Sequence, residues 1–417
     1  MNAGSLSTRI LIGLVCGLAI GIGLATVHAP WRDQVVSAAD ALGGLWLDAL
    51  RMTIIPLVFS LVVIGIAQAS DAAHAGRLAA RALGAFAVLL VVSAAIGALA
   101  TPALLAAWPP PAAAEAALRS LTRDASGLPP ATPFAEWLGS FIPTNLVKAA
   151  ADGSMAAIVV FALLFGLAAA AQAEPRRLAL FGFFDAVQAA MMTLVGWILQ
   201  AGPFGVFLLA LAVGAKTGAS AVGLLGQYVV VVSIMCLAAG SVGLLLGLVG
   251  GRIAPRRMLA ALTPVEAMAV STQSSLASLP VMLRATTELG APERVRDLVL
   301  PMAVALFRIT SPAGNVAVAV YVAHIYGVAL DPFRLIAAVI VAALVSLAAV
   351  GVASSVTFFV TLVPIFSAMN VPLDLLPLLL PVETLPDFSR TVGNVTGDVG
   401  VTAWAARWRG GRAPASG

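Results

Sequence analysis

A chain of 417 residues that is 61% hydrophobic and 10% charged, with a mean hydropathy of +1.03, lies far outside soluble norms, where about a quarter of residues carry charge. It reads as a polytopic membrane protein. The net charge of +4 and pI near 9.6 exclude no membrane reading and imply no nucleic acid, because the arginines cluster in short loops between apolar runs, as the positive-inside rule requires.

The first apolar segment follows Arg9 and runs to Val27 without a small-residue cleavage signal, so it reads as a retained helix and not a signal peptide. Segments near 9–28, 43–68 and 82–106 are each long enough to span a bilayer, which takes about 20 residues. Arg77 and Arg81 place the loop before the third, and by parity the N-terminus, in the cytoplasm. The stretch from Trp108 to Glu136, with PPP and LPPATP, breaks apolar periodicity and reads as an extracytoplasmic loop without chemistry. A fourth span, 154–172, precedes Glu174, Pro175, Arg176 and Arg177. A fifth, 178–210, is interrupted by Gly202 and Pro203, and a sixth, 221–250, ends at Arg252, Arg256 and Arg257. Cys16 and Cys236 lie within apolar runs and imply no disulfide framework or zinc site.

From Arg256 to Gly290 the regular pattern fails. The insert STQSSLASLP, Ser271 to Pro280, is too polar for a lipid-facing span and suits a re-entrant hairpin, since non-helical backbone at this depth needs protein or a cavity beside it. A seventh span, 298–326, is broken by Arg308, Pro312 and Gly314, and a second interrupted segment, 333–368, carries VGVASS at Val350 to Ser355. The last helix is followed by Arg407, Arg409 and Arg412, again cytoplasmic. Paired interrupted segments are the sequence pointer to an inverted-repeat transporter with a midplane site.

That last helix carries LPDFSRTVGNVTGD, Leu385 to Asp398. Asp387, Arg390, Thr391, Asn394 and Asp398 fall at helical spacing on one face. A charge at bilayer depth costs about 2.5 to 3.5 kcal/mol on insertion scales, so the stripe is expected to face protein or a water-filled site. A structural ion pair between Asp387 and Arg390 is the alternative; the uncharged Thr391 and Asn394 favour a ligand.

The sequence resembles the glutamate transporter family, the dicarboxylate/amino acid:cation symporters, over nearly its whole length. The matching stretches are MTIIPLVFSLVVIGIA (Met52 to Ala67), FIPTN (Phe141 to Asn145), GPFGVF (Gly202 to Phe207), QSSLASLP and DFSRTVGNVTGD. The resemblance implies that Arg390 holds the side-chain carboxylate of an acidic substrate and Asp387 its amino group. Thr391 and Asn394 would contact the amino-acid end, and Ser275 would sit at a hairpin tip cradling the α-carboxylate. Ser311, and Gly351 and Val352 of the second hairpin, complete the substrate-binding set. A guanidinium offers planar paired donors to a carboxylate, and a carboxylate accepts from an ammonium. Keeping both Asp387 and Arg390 favours an acidic amino acid over a plain dicarboxylate.

The seventh helix departs from the family. Where Asn-Met-Asp-Gly-Thr usually serves sodium, this chain reads FRITS, Phe307 to Ser311, and the third-helix positions matching oxygen ligands are Phe86, Leu89 and Leu90. Sodium is a hard cation that wants oxygen. Asp398 matches a second sodium carboxylate and survives. Arg308 is expected to stand in for a bound sodium ion, holding carbonyls of the second hairpin or pairing with Asp398; an interfacial arginine snorkelling outward is the other reading. Glu383 is a candidate proton carrier or an extracellular helix-start carboxylate. Gln273 stands where the family varies. Ser274 and Ser278 either serve the site or let helices approach. The second hairpin has Gly351, Val352, Ala353 and Ser354 in place of the family's Gly-Val-Pro-Gly tip.

The expectation is an all-α polytopic membrane protein with eight transmembrane helices and two re-entrant hairpins, an inverted-repeat elevator transporter. It would comprise scaffold helices 1 and 2 (1–81), transport-domain helix 3 (82–106), an extracytoplasmic loop (107–153), scaffold helices 4 and 5 (154–220), the rest of the transport domain (221–406) and a cytoplasmic tail (407–417). The resemblance implies a homotrimer in the inner (plasma) membrane with cytoplasmic termini, taking up L-aspartate or L-glutamate. No cofactor and no metal are expected, and the proton is the expected coupling ion, with Arg308, Asp398 and Glu383 as coupling residues. A C4-dicarboxylate carrier and an anion channel are the alternatives. An enzyme is not expected, since no nucleophile with a base appears and His28, His74 and His324 lie apart near span ends.

Overall fold

The computed structural model describes residues 6–26, 29–74, 76–112, 115, 139, 142–348 and 354–408, and among these all regular structure is helical. Among the described residues, six segments are long and apolar enough to cross a membrane: Thr8–Ala25, Arg32–Gln68, Arg77–Ala107, Glu174–Gln200, Ser220–Gly250 and Glu293–Tyr326. Shorter apolar helices lie at Ala157–Ala170, Gly202–Thr217 and Pro332–Leu347. The chain is a multi-pass membrane protein. Its last helix is not among the six, because the polar stripe lowers its hydropathy while packing buries it.

After α1 (Leu6–Ala25), the span expected over 43–68 is two helices, α2 (Arg32–Arg51) and α3 (Ile54–His74), which meet at Met52 and Thr53. The residues before 43 are too polar for a lipid-facing span, yet Val36, Ala39, Gly43, Trp46, Leu47 and Leu50 recur at helical spacing and are buried. α4 (Arg77–Ala107) and α5 (Met155–Ala170) match the third and fourth spans. The fifth is again two helices, α6 (Glu174–Gln200) and α7 (Gly202–Thr217), with Pro203 in the first turn of α7, where its missing N–H costs nothing.

α7 lies along α1 and α2, and α3 along α5 and α6. Gly13, Gly17 and Gly21 of α1 meet the carbonyls of Pro203, Phe207 and Leu211, and a Cβ at any of them would collide. Small residues thus let the two backbones touch.

The remaining helices pack mainly on one another. They are α8 (Ser220–Leu245), α9 (Pro255–Thr272), α10 (Ser275–Glu288), α11 (Glu293–Met302), α12 (Thr310–Tyr326), α13 (Pro332–Ala348), α14 (Ser354–Ala368) and α15 (Pro386–Ala405). α15 is wrapped by α8, α9 and α10, while α4 lies against α12 and α13. Gly240 and Gly243 of α8 sit against Gly393, Gly397 and Gly400 of α15, and that close approach brings α8 side chains to the polar stripe.

Two backbone features position the site. α9 and α10 fold back on each other at Gln273, which adopts a left-handed conformation (φ +50°), and Ser274 Oγ caps α10 by accepting from the Ala277 N–H at 3.2 Å. α11 passes through a π-helical turn at Ala303–Phe307 and stops at Arg308, where φ is +26°. Of the three breakers expected in this span, Arg308 alone marks the interruption. Pro312 and Gly314 lie inside α12, Pro312 in its first turn, where backbone donors have no intrahelical partner in any case. Positive φ in a bulky residue is unfavourable and persists only where surroundings enforce it.

Gly351, Val352 and Ala353 of the expected second hairpin, Phe141, residues 116–138, Arg409, Arg412 and His28 lie outside the described residues.

Candidate functional site

The break at Arg308 and the first three turns of α15 enclose two adjoining cavities. The larger, about 470 Å³, is lined by Gln273, Ser274 and Ser275 from the α9–α10 turn, Arg308 from the break, and Asp387, Arg390, Thr391 and Asn394 from α15. Small-molecule sites occupy about 300 to 1,000 Å³. The smaller, about 30 Å³, is lined by Arg308, Ser311, Asn315, Phe358, Thr361, Glu383, Asp387 and Arg390. The two share Arg308, Asp387 and Arg390.

Arg390 is 7% exposed and its fork is already engaged. Nη2 donates to Glu383 Oε1 in a buried salt bridge, and Nη1 donates to Asn315 Oδ1 at 3.2 Å. Glu383 is 7% exposed, and its other oxygen accepts from the Tyr228 hydroxyl of α8. Glu383 is therefore buried and fully engaged in the turn that precedes α15. Both its oxygens are satisfied, which is what holds an ion pair out of water.

On the next turn, Asn394 Oδ1 accepts from the Thr310 N–H at 3.0 Å and lies 2.9 Å from the Thr310 hydroxyl, which also lies 3.0 Å from the Arg390 carbonyl. These bonds tie the start of α12 to α15. They also orient the Asn394 amide, leaving its NH₂ as the donor for a ligand. Thr391 Oγ1 donates to the Asp387 carbonyl at 2.8 Å.

Asp398 departs from its stripe companions. It is 1% exposed, lines neither cavity, and both carboxylate oxygens are buried without a hydrogen-bond partner. The expected pairing with Arg308 is thus not a hydrogen bond. Arg308 lies within electrostatic reach of Arg390, Asp387 and Asp398. Arg308 itself lines both cavities, so it faces protein and not lipid, against the snorkelling alternative.

Beyond the break, the residues that the resemblance sets at the family's oxygen-ligand positions form a hydrocarbon cluster. Phe86 and Leu90 are fully buried, Leu89 is 8% exposed, and they pack with the buried Phe307 and Ile309, the Phe86 and Phe307 rings stacking at 4.8 Å. Such side chains give a hard cation nothing to bind, so the donor set at these positions does not fit sodium. Ser93 of α4 donates to the Ile309 carbonyl and accepts from the Ala313 N–H at 3.2 Å, satisfying both ends of the break.

Of the residues singled out by sequence, Arg390, Asp387, Thr391, Asn394, Ser275, Ser311, Arg308 and Glu383 line these cavities. Ser274 caps α10 and lines the larger, while Ser278 is fully buried and donates to the Ser274 carbonyl at 3.0 Å. Gln273 donates to the Thr384 carbonyl at 3.2 Å, linking the α9–α10 turn to the approach to α15. Tyr228, Ser93, Thr310 and Asn315 carry no role in the sequence reading. Spacing held a signal for two of them: Ser93 continues the face of Phe86, Leu89 and Leu90, and Asn315 lies seven residues after Arg308.

The sequence profile of the Sodium:dicarboxylate symporter family matches residues 6–408. The chain is 27% identical over 415 residues to the proton/glutamate-aspartate symporter of Escherichia coli K12, covering 97% of this chain and 93% of that protein. It is 30% identical over 443 residues to the human neutral amino acid transporter B(0), covering 95% and 79%. To the C4-dicarboxylate transport protein of Anaeromyxobacter sp. strain K it is 29% identical over 420 residues, covering 98% and 90%.

Proposed function

The chain belongs to the sodium:dicarboxylate symporter family, a family of transporters and not enzymes, and from that premise we propose that it is a sodium-independent, proton-coupled symporter of acidic amino acids, L-aspartate or L-glutamate. The observation that carries this reading is the juxtaposition of Arg390, Asp387 and Arg308 on one cavity of about 470 Å³. Arg390 matches a substrate carboxylate and Asp387 an ammonium, so the pair reads both ends of an anionic amino acid. A neutral amino acid would leave the Arg390 fork facing nothing but its present partners.

Charge balance supports the proton. The cavity walls hold two arginines, Arg308 and Arg390, against two carboxylates, Asp387 and Glu383. An acidic amino acid adds one net negative charge, and one proton on Glu383 cancels it. It also frees Arg390, since neutral Glu383 no longer competes for the fork. Binding therefore takes up a proton, and affinity falls as pH rises above the transition, by about tenfold per unit.

Sodium is dispensable on this reading because Arg308 supplies its charge beside Asp398 and hydrocarbon fills the ligand positions in α4 and at Ile309. The transporter moves as an elevator. The helices of residues 1–81 and 154–220 are the scaffold of a homotrimer, those of 82–106 and 221–406 travel with the substrate, and the α9–α10 and α13–α14 pairs act as re-entrant hairpins. Both termini lie in the cytoplasm, in the plasma membrane.

A C4-dicarboxylate is the second reading, favoured by the presence of two arginines on one cavity and by the similarity to a carrier of that name. Uptake of labelled L-aspartate into sodium-free proteoliposomes under an inward proton gradient decides. The proposal expects concentrative uptake that an uncoupler abolishes and succinate does not compete away. Uptake that needs sodium, or succinate outcompeting aspartate with no effect of Asp387→Ala, overturns it.

A further inference from the structure

We propose that Tyr228 is a positioning residue that forces the coupling proton onto the one carboxylate oxygen held by Arg390, so that proton binding and release of the guanidinium become a single event. This deepens the reading of Glu383 as proton carrier and rests on it.

Tyr228 is fully buried on α8 and donates to Glu383 Oε2, while Arg390 donates to Oε1. Its ring is held edge-on by Tyr321, 5.7 Å away, whose own hydroxyl donates to the Leu224 carbonyl at 2.7 Å. The hydroxyl is thus presented from a fixed ring.

A proton arriving at Glu383 has two places to go. On Oε2 it would have to donate to the Tyr228 oxygen, turning the buried phenolic hydrogen away from Glu383, its only hydrogen-bond partner among the described residues. On Oε1 it takes the place of the Arg390 N–H. With Tyr228 keeping Oε2, the new O–H bond forms at Oε1, the Arg390 to Oε1 hydrogen bond breaks, and Nη2 is free for a substrate carboxylate. Without the tyrosine hydroxyl, Oε2 accepts the proton and Oε1 stays on Arg390, so the proton binds without opening the fork.

The other groups facing Glu383 do not make this selection. Cys236 joins Tyr228 from α8 as a charge neighbour, Asp387 and Arg390 act from α15, and Arg308 from the break shares the smaller cavity. Asn315 and Ser311 on α12 and Thr361 on α14 line that cavity and carry no charge.

The test is calorimetry of L-aspartate with the purified full chain in sodium-free buffers across pH, repeated in buffers of different ionisation enthalpy to count protons taken up. Wild type is expected to lose about tenfold affinity per pH unit above its transition and to take up about one proton. Tyr228→Phe keeps the ring against Tyr321 and is expected to flatten the slope to threefold or less per unit, with proton uptake reduced accordingly. Tyr321→Phe, whose hydroxyl does not touch Glu383, keeps the wild-type slope. An unchanged slope in Tyr228→Phe, or an equal flattening in Tyr321→Phe, overturns the proposal while leaving Glu383 as carrier. A wild type whose affinity ignores pH and matches Glu383→Gln overturns the carrier reading itself, and this inference with it.

Discussion

The two sides of the helix break at Arg308 differ in kind. Toward Glu383 and Arg390, buried polar atoms are paired donor to acceptor, from Tyr228 through Glu383 to Arg390 and Asn315. Toward Phe86 and Ile309 there is hydrocarbon, with the Ser93 hydroxyl stitching the backbone ends. On the proposed reading, recognition chemistry is kept on one side, and cation chemistry is replaced on the other by close packing and a fixed guanidinium. On that reading a member of a symporter family keeps its substrate grip while changing how the site's charge is balanced.

Breaking the polar side has the largest expected effect. Arg390→Ala leaves Glu383 buried without its counter-ion, a loss of about 3 to 5 kcal/mol, and aspartate binding by calorimetry is expected to weaken more than a hundredfold. Wild-type affinity in this variant would remove Arg390 from the site.

The dry side is challenged by Ile309→Asp, which puts a carboxylate among Phe86, Leu89 and Leu90. Set among hydrocarbon side chains, that charge is expected to destabilise by several kcal/mol, read as a fall in detergent melting temperature. If sodium restored the wild-type value, the pocket would be a cation site lacking one ligand, and the contrast would weaken.

Arg308→Met tests the boundary. Asp398 loses the cation that acts on it, and sodium-free uptake near neutral pH is expected to drop about tenfold, or about 1.4 kcal/mol. Adding Asp398→Asn, which removes the charge left uncompensated, is expected to recover part of that loss. No recovery would argue that Arg308 acts on substrate and not on Asp398.

Ser93→Ala is the mildest change. Losing one buried hydroxyl that serves the Ile309 carbonyl and the Ala313 N–H is expected to cost about 1 to 3 kcal/mol of stability, with aspartate affinity within threefold. A large affinity loss would mean that the break itself shapes the pocket.

Much of this was legible in the chain. The stripe from Asp387 to Asn394 lines one cavity as its spacing implies, and the hydrocarbon packing at Phe86, Leu89, Leu90 and Ile309 follows from their residue types. Four things were not. The helix at Arg32–Arg51 was hidden by Asp33, Asp40 and Asp48 on its exposed face. The break was assigned to three breakers when Pro312 falls where a helix tolerates proline. Tyr228 sits some 155 residues from Glu383 in sequence, and no local pattern marks a contact of that range. Asp398, on the stripe by spacing, is set apart because Phe307 and Ile309 fill the space beside Gly397, which only packing reveals.

The most direct test of the substitution of an arginine for a bound cation is a titration of sodium, from none to physiological levels, into wild-type protein and Arg308→Met while L-aspartate affinity is followed at fixed pH. Wild-type affinity is predicted to stay level throughout, within the modest drift of ionic screening. An affinity that climbs steeply with sodium in the wild type would contradict it.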